Sequence, residues 1–183
     1  AGLLGVAGIF FLGRRLAGDR VGLVAAAITA VLEAHVWISR TGLLDGFLVP
    51  AITFSIYFFL KARERPVNYL WWGFTVGAGL LTKYLFLFMG PVFLIMLMTK
   101  DRSAWRRREF YLGLAAILII ISPIITYNVA MVATRGHPDA ALSTLVGLSP
   151  EDFKGLTRTA KTGSDFNPIQ AFRVLLGGMN PGV

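Results

Sequence analysis

The chain of 183 residues is 55% hydrophobic and 15% charged, contains no cysteine and carries a formal net charge of +8. A soluble domain cannot bury that much apolar surface, so the composition favours a chain that lies in a lipid bilayer. The absence of cysteine excludes a disulfide framework, a cysteine zinc site and a thiol nucleophile. The basic residues lie in short runs between apolar stretches, where they indicate membrane topology rather than nucleic-acid binding.

Six apolar stretches follow one another, and we predict an all-α, polytopic transmembrane bundle over residues 1–130. The stretches are Ala1–Leu12, Val21–Ser39, Gly46–Leu60, Asn68–Thr82, Tyr84–Thr99 and Phe110–Ala130. A spanning helix needs about 17 to 25 residues. The first stretch is therefore predicted to be a truncated span, and the chain an internal fragment of a longer protein.

The basic residues indicate how often residues 68–99 cross the membrane. They form three clusters: Arg14, Arg15 and Arg20; Lys61, Arg63 and Arg65; and Lys100, Arg102, Arg106, Arg107 and Arg108. Two crossings place all three clusters on the cytoplasmic side, whereas one crossing would leave the last cluster outside. With two crossings, Ser39–Asp45 and Lys83 lie at outer turns.

Aromatic residues near the ends of the stretches are predicted to form belts at the membrane interfaces. Tyr69, Trp71, Trp72 and Trp105 would lie near cytoplasmic ends, and Trp37 and Tyr127 near outer ends. The small residues of Gly73–Gly79 favour close helix packing over a ligand site.

Residues 131–183 are predicted to form an extracytoplasmic loop region with short helices. Ser149-Pro150-Glu151-Asp152 has the residues of a helix start, with an N-cap, a proline in the first turn and two acids. Asn167-Pro168 repeats this signal before a short apolar face that would lie on the membrane surface.

Five polar residues cluster at the predicted outer ends: Glu33, His35, Arg40, Asp45 and Lys83. Ionisable groups at membrane depth usually mark a pair, a pathway or a site. One interpretation is structural, with an Arg40–Asp45 ion pair, a Glu33–His35 pair and a Lys83 side chain that snorkels to the interface. The other is an outward-facing polar pocket in which Arg40 and Lys83 bind a lipid-linked phosphate.

Four segments, in order, resemble bacterial membrane glycosyltransferases of the dolichyl-phosphate-mannose type, which include protein O-mannosyltransferases and lipid A aminoarabinose transferases. The cytoplasmic turn Leu12–Gly22 is the first, and His35–Asp45 is similar to the family's H-x-x-x-S-R-x-x-x-x-D outer turn. Gly77–Lys83 resembles G-L-x-x-L-T-K, and Ser122–Asn128 resembles P-W-x-x-Y-N, although Ile124 replaces the tryptophan. The resemblance covers residues 1–128 and implies the GT-C fold.

The resemblance implies transfer of a sugar from a polyprenyl-phosphate donor to a glycan, lipid or protein acceptor outside the bacterial plasma membrane. By position, Asp45 matches a supporting acid, Lys83 the lysine near the donor phosphate, and Arg40 the turn arginine; Glu33 and His35 are further substrate-binding candidates. The family's principal catalytic acid lies before the segment matched by Ala1, so we expect this fragment to be inactive by itself. No cofactor is indicated with certainty, and a divalent metal is possible.

Two other classes of protein compete with this interpretation. A secondary transporter or lipid-linked-sugar flippase would show internal repeats and broken spans in matching positions. A non-catalytic membrane scaffold would have no reason to place Glu33, Arg40, Asp45 and Lys83 at outer ends only.

Overall fold

The computed structural model describes residues 1–41 and 44–145, and in these ranges the regular secondary structure is helical, without strands. The α-helices are α1 (Gly2–Ala17), α2 (Asp19–Val31), α3 (Glu33–Arg40), α4 (Asp45–Ala62), α5 (Asn68–Thr82), α6 (Met89–Lys100), α7 (Arg108–Arg135) and α8 (Ala140–Leu145). Short 3₁₀ helices, Tyr84–Phe88 and Arg102–Arg106, precede α6 and α7. The chain divides into two compact units, Ala1–Tyr127 and Asn128–Val183.

Helices α4 and α7 are each long and apolar enough to cross a membrane, and α2 and α3 meet the same test together. The prediction of an all-α membrane protein is confirmed, whereas the number of six crossings stays a prediction. Helix α7 continues to Arg135, so its end lies beyond the predicted boundary at residue 130. The helix starts predicted at Ser149 and Asn167 lie outside the described residues.

The stretch Val21–Ser39, predicted as one span, is broken instead. Leu32 leaves the helical conformation with ψ 116°, and α2 and α3 meet at 60°. Neither glycine nor proline marks the break in the sequence. Two local features favour it: Thr29 donates its hydroxyl to the Ala25 carbonyl, a bond that tends to bend helices, and Glu33 begins α3 where a negative charge favours the helix N-terminus.

The core of the first unit is aromatic and lies among α4, α5, α6 and α7. Phe59, Tyr69, Trp72, Phe93 and Phe110 are buried, and the Trp72 ring stacks on Phe110 with centroids 5.7 Å apart. Aromatic pairs at such distances add to the stabilisation that burial provides. The polar end of this cluster is anchored because the Tyr69 hydroxyl donates to Asp101 at 2.7 Å.

The aromatic-belt prediction is wrong for Tyr69 and Trp72. These residues are about one helical turn apart, so they share the face of α5 that packs into the core. Trp71, between them, is 52% exposed on the other face, and Trp105 is 49% exposed. An interfacial position therefore stays a prediction for Trp71 and Trp105.

The small residues of α5 pack against α7, as predicted. A Cβ atom on Gly73 would overlap the backbone carbonyl of Gly113, and one on Gly77 would lie 2.9 Å from the Cβ of Ile120. Glycine thus lets the two helix backbones approach each other more closely than any side chain would allow.

The three basic connections meet at one end of this unit. Arg15, in the last turn of α1, forms an ion pair with Glu64, after α4. Arg107, before α7, donates to the carbonyl of Ala62 at the end of α4. The loops that follow α1, α4 and α6 are therefore neighbours.

In the second unit, α8 begins at an acidic cap. Asp139 accepts a hydrogen bond from the backbone N–H of Leu142 at 2.9 Å and so satisfies a free donor of the first turn. The buried Asn128 holds this cap, because its side-chain oxygen accepts the Asp139 N–H and its amide donates to the Asp139 carboxylate.

Candidate functional site

The candidate site is built around an ion pair between Lys83 and Asp45. The Nζ atom of Lys83 lies 2.5 Å from Oδ1 of Asp45, although 38 positions separate the two residues in the chain. Asp45 occupies the first turn of α4, where a carboxylate interacts favourably with the positive end of the helix dipole. Lys83 directly follows the last residue of α5.

The backbone leaves the helical conformation at Lys83, directly after α5, and the lysine side chain is directed towards Asp45. Lys83 is extended at φ −161°, and its N–H still donates to the Gly79 carbonyl at 3.2 Å. The Thr82 hydroxyl donates to the same carbonyl at 2.6 Å. A 3₁₀ turn begins at Tyr84, with the Phe86 N–H donating to the Lys83 carbonyl.

The ion pair is accessible, which suits a binding role better than a purely structural one. The side chains of Lys83 and Asp45 are 46% and 39% exposed. An exposed pair of this kind adds little to stability, typically about 1 kcal/mol or less. The lysine ammonium carries three donors, so it can bind Asp45 and an incoming anion at once.

The Arg40–Asp45 ion pair of the structural interpretation does not form, because Asp45 pairs with Lys83 instead. Arg40 lies in the last turn of α3, where a cation favours the helix C-terminus. It is exposed, and together with Glu33 and Trp37 it lines an open groove of about 460 Å³. Within the part of the chain that the structure describes, the side chains of Glu33 and Arg40 form no hydrogen bond or ion pair.

The Glu33–His35 pair of the structural interpretation does not form either. His35 lies against α1, with its Nε2 atom 3.2 Å from the carbonyl oxygen of Gly2. A Cβ atom on Gly5 would lie 2.8 Å from the imidazole Cε1, so the glycine makes room for this ring. His35 therefore connects α3 to the start of α1, and Glu33 points to the exposed groove.

The buried hydroxyl of Ser39 was not singled out from the sequence, although it stands within the segment that resembles the family's outer turn. Its Oγ atom has no hydrogen-bond partner among the described residues. A buried polar atom without a partner is uncommon and costly in proteins. The serine immediately before Arg40 in the quoted motif was the available signal.

No group of three histidine or carboxylate side chains that could hold a metal occurs in residues 1–41 and 44–145. Of the five candidates, the structure joins Asp45 to Lys83, puts Glu33 and Arg40 on one groove, and directs His35 to α1.

The model of the dolichyl-phosphate-mannose-protein mannosyltransferase family matches residues 1–127. This chain belongs to that family. The matched residues coincide with the first compact unit, Ala1–Tyr127, which contains the Lys83–Asp45 pair and the Arg40 groove. The protein is therefore a membrane glycosyltransferase of the mannosyltransferase type. Neither the curated proteins nor the solved structures provide a match.

Proposed function

We propose that the full-length protein transfers a sugar from a polyprenyl-phosphate donor to an acceptor on the extracytoplasmic side of the plasma membrane. The observation that carries the proposal is the Lys83–Asp45 ion pair, in which residues from two separate predicted outer turns meet. The positive-inside rule supports the outer side, because the three basic connections gather at the other ends of the same helices.

In the proposed reaction, the bond between the anomeric carbon and the phosphate oxygen of the donor breaks. The acceptor oxygen forms the new glycosidic bond from the opposite face, so the configuration inverts. A carboxylate general base takes the acceptor proton, and polyprenyl phosphate leaves with the bonding electron pair. The family resemblance assigns that base to a position upstream of Ala1, so Asp45 is a supporting residue.

Lys83 is proposed to stabilise the charge that develops on the leaving phosphate. Asp45 fixes the lysine side chain before the donor arrives, and such preorganisation is what makes an electrostatic contact effective in the transition state. Arg40 is proposed to hold the same phosphate from the groove that it shares with Trp37, since a guanidinium can bind two phosphate oxygens at once.

A transporter or flippase would bind the same lipid-linked sugar without breaking a covalent bond. The family match favours the transferase, and donor consumption distinguishes the two directly.

The test measures turnover of radiolabelled polyprenyl-phosphate sugars by the full-length protein in detergent. Lys83→Ala is expected to lower kcat by about a hundredfold, the usual effect of removing one group that stabilises the transition state. Lys83→Arg keeps the charge and should retain part of the activity. Asp45→Asn should also slow turnover, because the lysine is no longer held in place.

Lys61→Ala is the matched control, since Lys61 lies near the far end of α4 and donates only to the Tyr57 hydroxyl. This variant should turn over the donor like the unaltered protein. Full activity of Lys83→Ala and Asp45→Asn would contradict the site, and well-folded protein that binds donors but consumes none would favour the transporter.

A further inference from the structure

A second charged site lies at the end of the first unit opposite to Lys83. Five cations line a cleft of about 500 Å³ there: Arg15, Arg63, Lys100, Arg102 and Arg107. They lie in the last turns of α1 and α6 and in the loops that follow α4 and α6, and we call this feature the basic cleft. Basic residues that serve only as topology signals need not converge, because the positive-inside rule depends on their side and not on their contacts.

The two carboxylates that line the basic cleft are already engaged. Glu64 forms an ion pair with Arg15. Asp101 is buried and accepts hydrogen bonds from the Tyr69 hydroxyl at 2.7 Å and from the Ser103 hydroxyl at 2.6 Å. The remaining cations of the cleft form no ion pair with either carboxylate, although the charges of Arg63 and Arg107 act on Asp101.

One of the cations is held in place by the protein itself. Arg107 donates from Nη1 to the Ala62 carbonyl and from Nη2 to the Ser103 hydroxyl, each at 3.2 Å. Arg63 and Lys100 are exposed, and their side chains form no hydrogen bond or ion pair with any other described residue. A fixed guanidinium beside two free cations is an arrangement that suits a phosphate group with several oxygens.

The surroundings of the basic cleft favour a lipid over a soluble phosphate. Trp105 lies half exposed in the same loop, and tryptophan is enriched at the level of lipid headgroups. Arg102 folds back onto the end of α6 and donates to the Met98 carbonyl at 2.7 Å. Above it, Leu94, Ile95 and Met98 expose an apolar face of α6 along which acyl chains can lie.

We propose that the basic cleft binds the phosphate headgroup of an anionic membrane lipid at the cytoplasmic interface. The lipid would bridge the loops after α4 and α6, with its acyl chains against the exposed face of α6. Basic pockets between transmembrane helices on the cytoplasmic side are known to take such headgroups. This site is separate from the sugar-donor site and does not depend on the proposed reaction.

The test measures lipid retention by the full-length protein with native mass spectrometry, after reconstitution in phosphatidylcholine vesicles with or without cardiolipin. The double variant Arg63→Gln/Lys100→Gln removes two cations whose side chains form no hydrogen bond or ion pair with the described residues. It should lower cardiolipin retention by about tenfold or more, as expected for two cations near a membrane surface. Phosphatidylcholine should show no specific retention.

Arg20→Gln/Arg106→Gln is the matched control, because it removes the same charge from exposed residues that do not line the basic cleft. It should retain cardiolipin like the unaltered protein. Equal loss in both double variants, or loss in neither, would overturn the proposal. Saturable binding of inorganic phosphate without preference for the lipid would also overturn it, in favour of a soluble ligand. Unchanged gel-filtration profiles and melting temperatures verify that the variants fold.

Discussion

At Gly73 the close packing of α5 against α7 is possible because glycine has no Cβ atom. The backbone carbonyl of Gly113 occupies the place where a Cβ would stand. Backbone atoms cannot rotate away as the end of a flexible side chain can. The spacing of the two helices is thus determined by this contact.

We expect Gly73→Ala to destabilise the protein by about 1–3 kcal/mol, the usual cost of overpacking a close contact. The measurement is the melting temperature of the purified protein in detergent. Gly90→Ala is the control, because a Cβ atom there would meet nothing within 4 Å. Since alanine favours helix over glycine, that variant should melt at the same temperature or higher. A lower melting temperature for Gly90→Ala than for Gly73→Ala would contradict the packing argument.

The sequence predicted which residues form the candidate site better than it predicted how they pair. Asp45 and Lys83 were both identified, since each is a charged residue at the end of an apolar stretch. Their contact was missed because Arg40 is nearer to Asp45 along the chain, whereas the direction of Lys83 depends on where α5 ends. The direction in which the Lys83 side chain points cannot be predicted from the sequence.

At the scale of elements, the loop between α6 and α7 is held by Asp101. Burial by itself raises the pKa of this carboxyl group, but hydrogen bonds from Ser103 and Tyr69 and the charges of Arg107 and Arg63 outweigh burial and lower the pKa below its ordinary value. The ionised carboxylate is therefore stabilised in the folded protein. Its contribution to stability is complete above the ordinary pKa of about 3.9 and is lost as the pH falls through the lower, folded value.

Asp101→Asn is expected to lower the melting temperature at pH 7, because hydrogen bonds to a charged group contribute about 1.5–3 kcal/mol. Below about pH 4 the difference from the unaltered protein should shrink, because the unfolded carboxylate binds a proton first and the native carboxylate does so only at its lower pKa. Asp19→Asn, which removes only an exposed ion pair with Arg14, should change little. A constant difference between Asp101→Asn and the unaltered protein down to pH 2 would contradict this account.

Helix positions were more predictable than helix shapes. Apolar length located the helices because a bilayer demands it. The 60° bend at Leu32 was not predicted, because no proline or glycine marks it. The two local features that favour it, the Thr29 hydroxyl bond and the charge of Glu33, also occur in unbroken helices and so do not by themselves indicate a break. The burial of Tyr69 and Trp72 was missed for a related reason. An aromatic residue near the end of an apolar stretch is predicted to lie at the membrane interface. Whether it is buried depends on which neighbouring helix its face of α5 contacts, and the sequence does not show this.

At the scale of the whole molecule, the ends of the helices in the first unit differ in chemistry. The basic cleft gathers cations from three loops, and the Lys83–Asp45 pair lies at the other ends of α4 and α5. The positions of the basic residues in the sequence predicted that the three basic clusters lie on the same side of the membrane. The contacts between Arg15 and Glu64 and between Arg107 and Ala62 agree with this prediction. Which side faces the cytoplasm is an inference from the positive-inside rule.

Single cysteines test this sidedness, and the chain contains none to remove. In the full-length protein, provided its other cysteines are replaced, Thr41→Cys should react with a membrane-impermeant thiol reagent in intact cells. Arg106→Cys should react only after permeabilisation. Thr41 and Arg106 are both exposed, so a difference in labelling between the two cysteines would not come from burial in the protein. Labelling of both from outside, or the reverse pattern, would contradict the proposed topology.

The length of α5 has a consequence for the lipid around it. Its 15 residues give a rise of about 22 Å, which is less than the roughly 30 Å of a typical hydrocarbon core. If the end at Tyr69 stays at the interface with Asp101, the end at Lys83 lies short of the opposite headgroups unless the bilayer thins there. A donor phosphate would then have to be drawn inwards to meet the lysine. If α5 crosses the bilayer as predicted, the local thickness of the membrane would affect how easily the donor reaches Lys83.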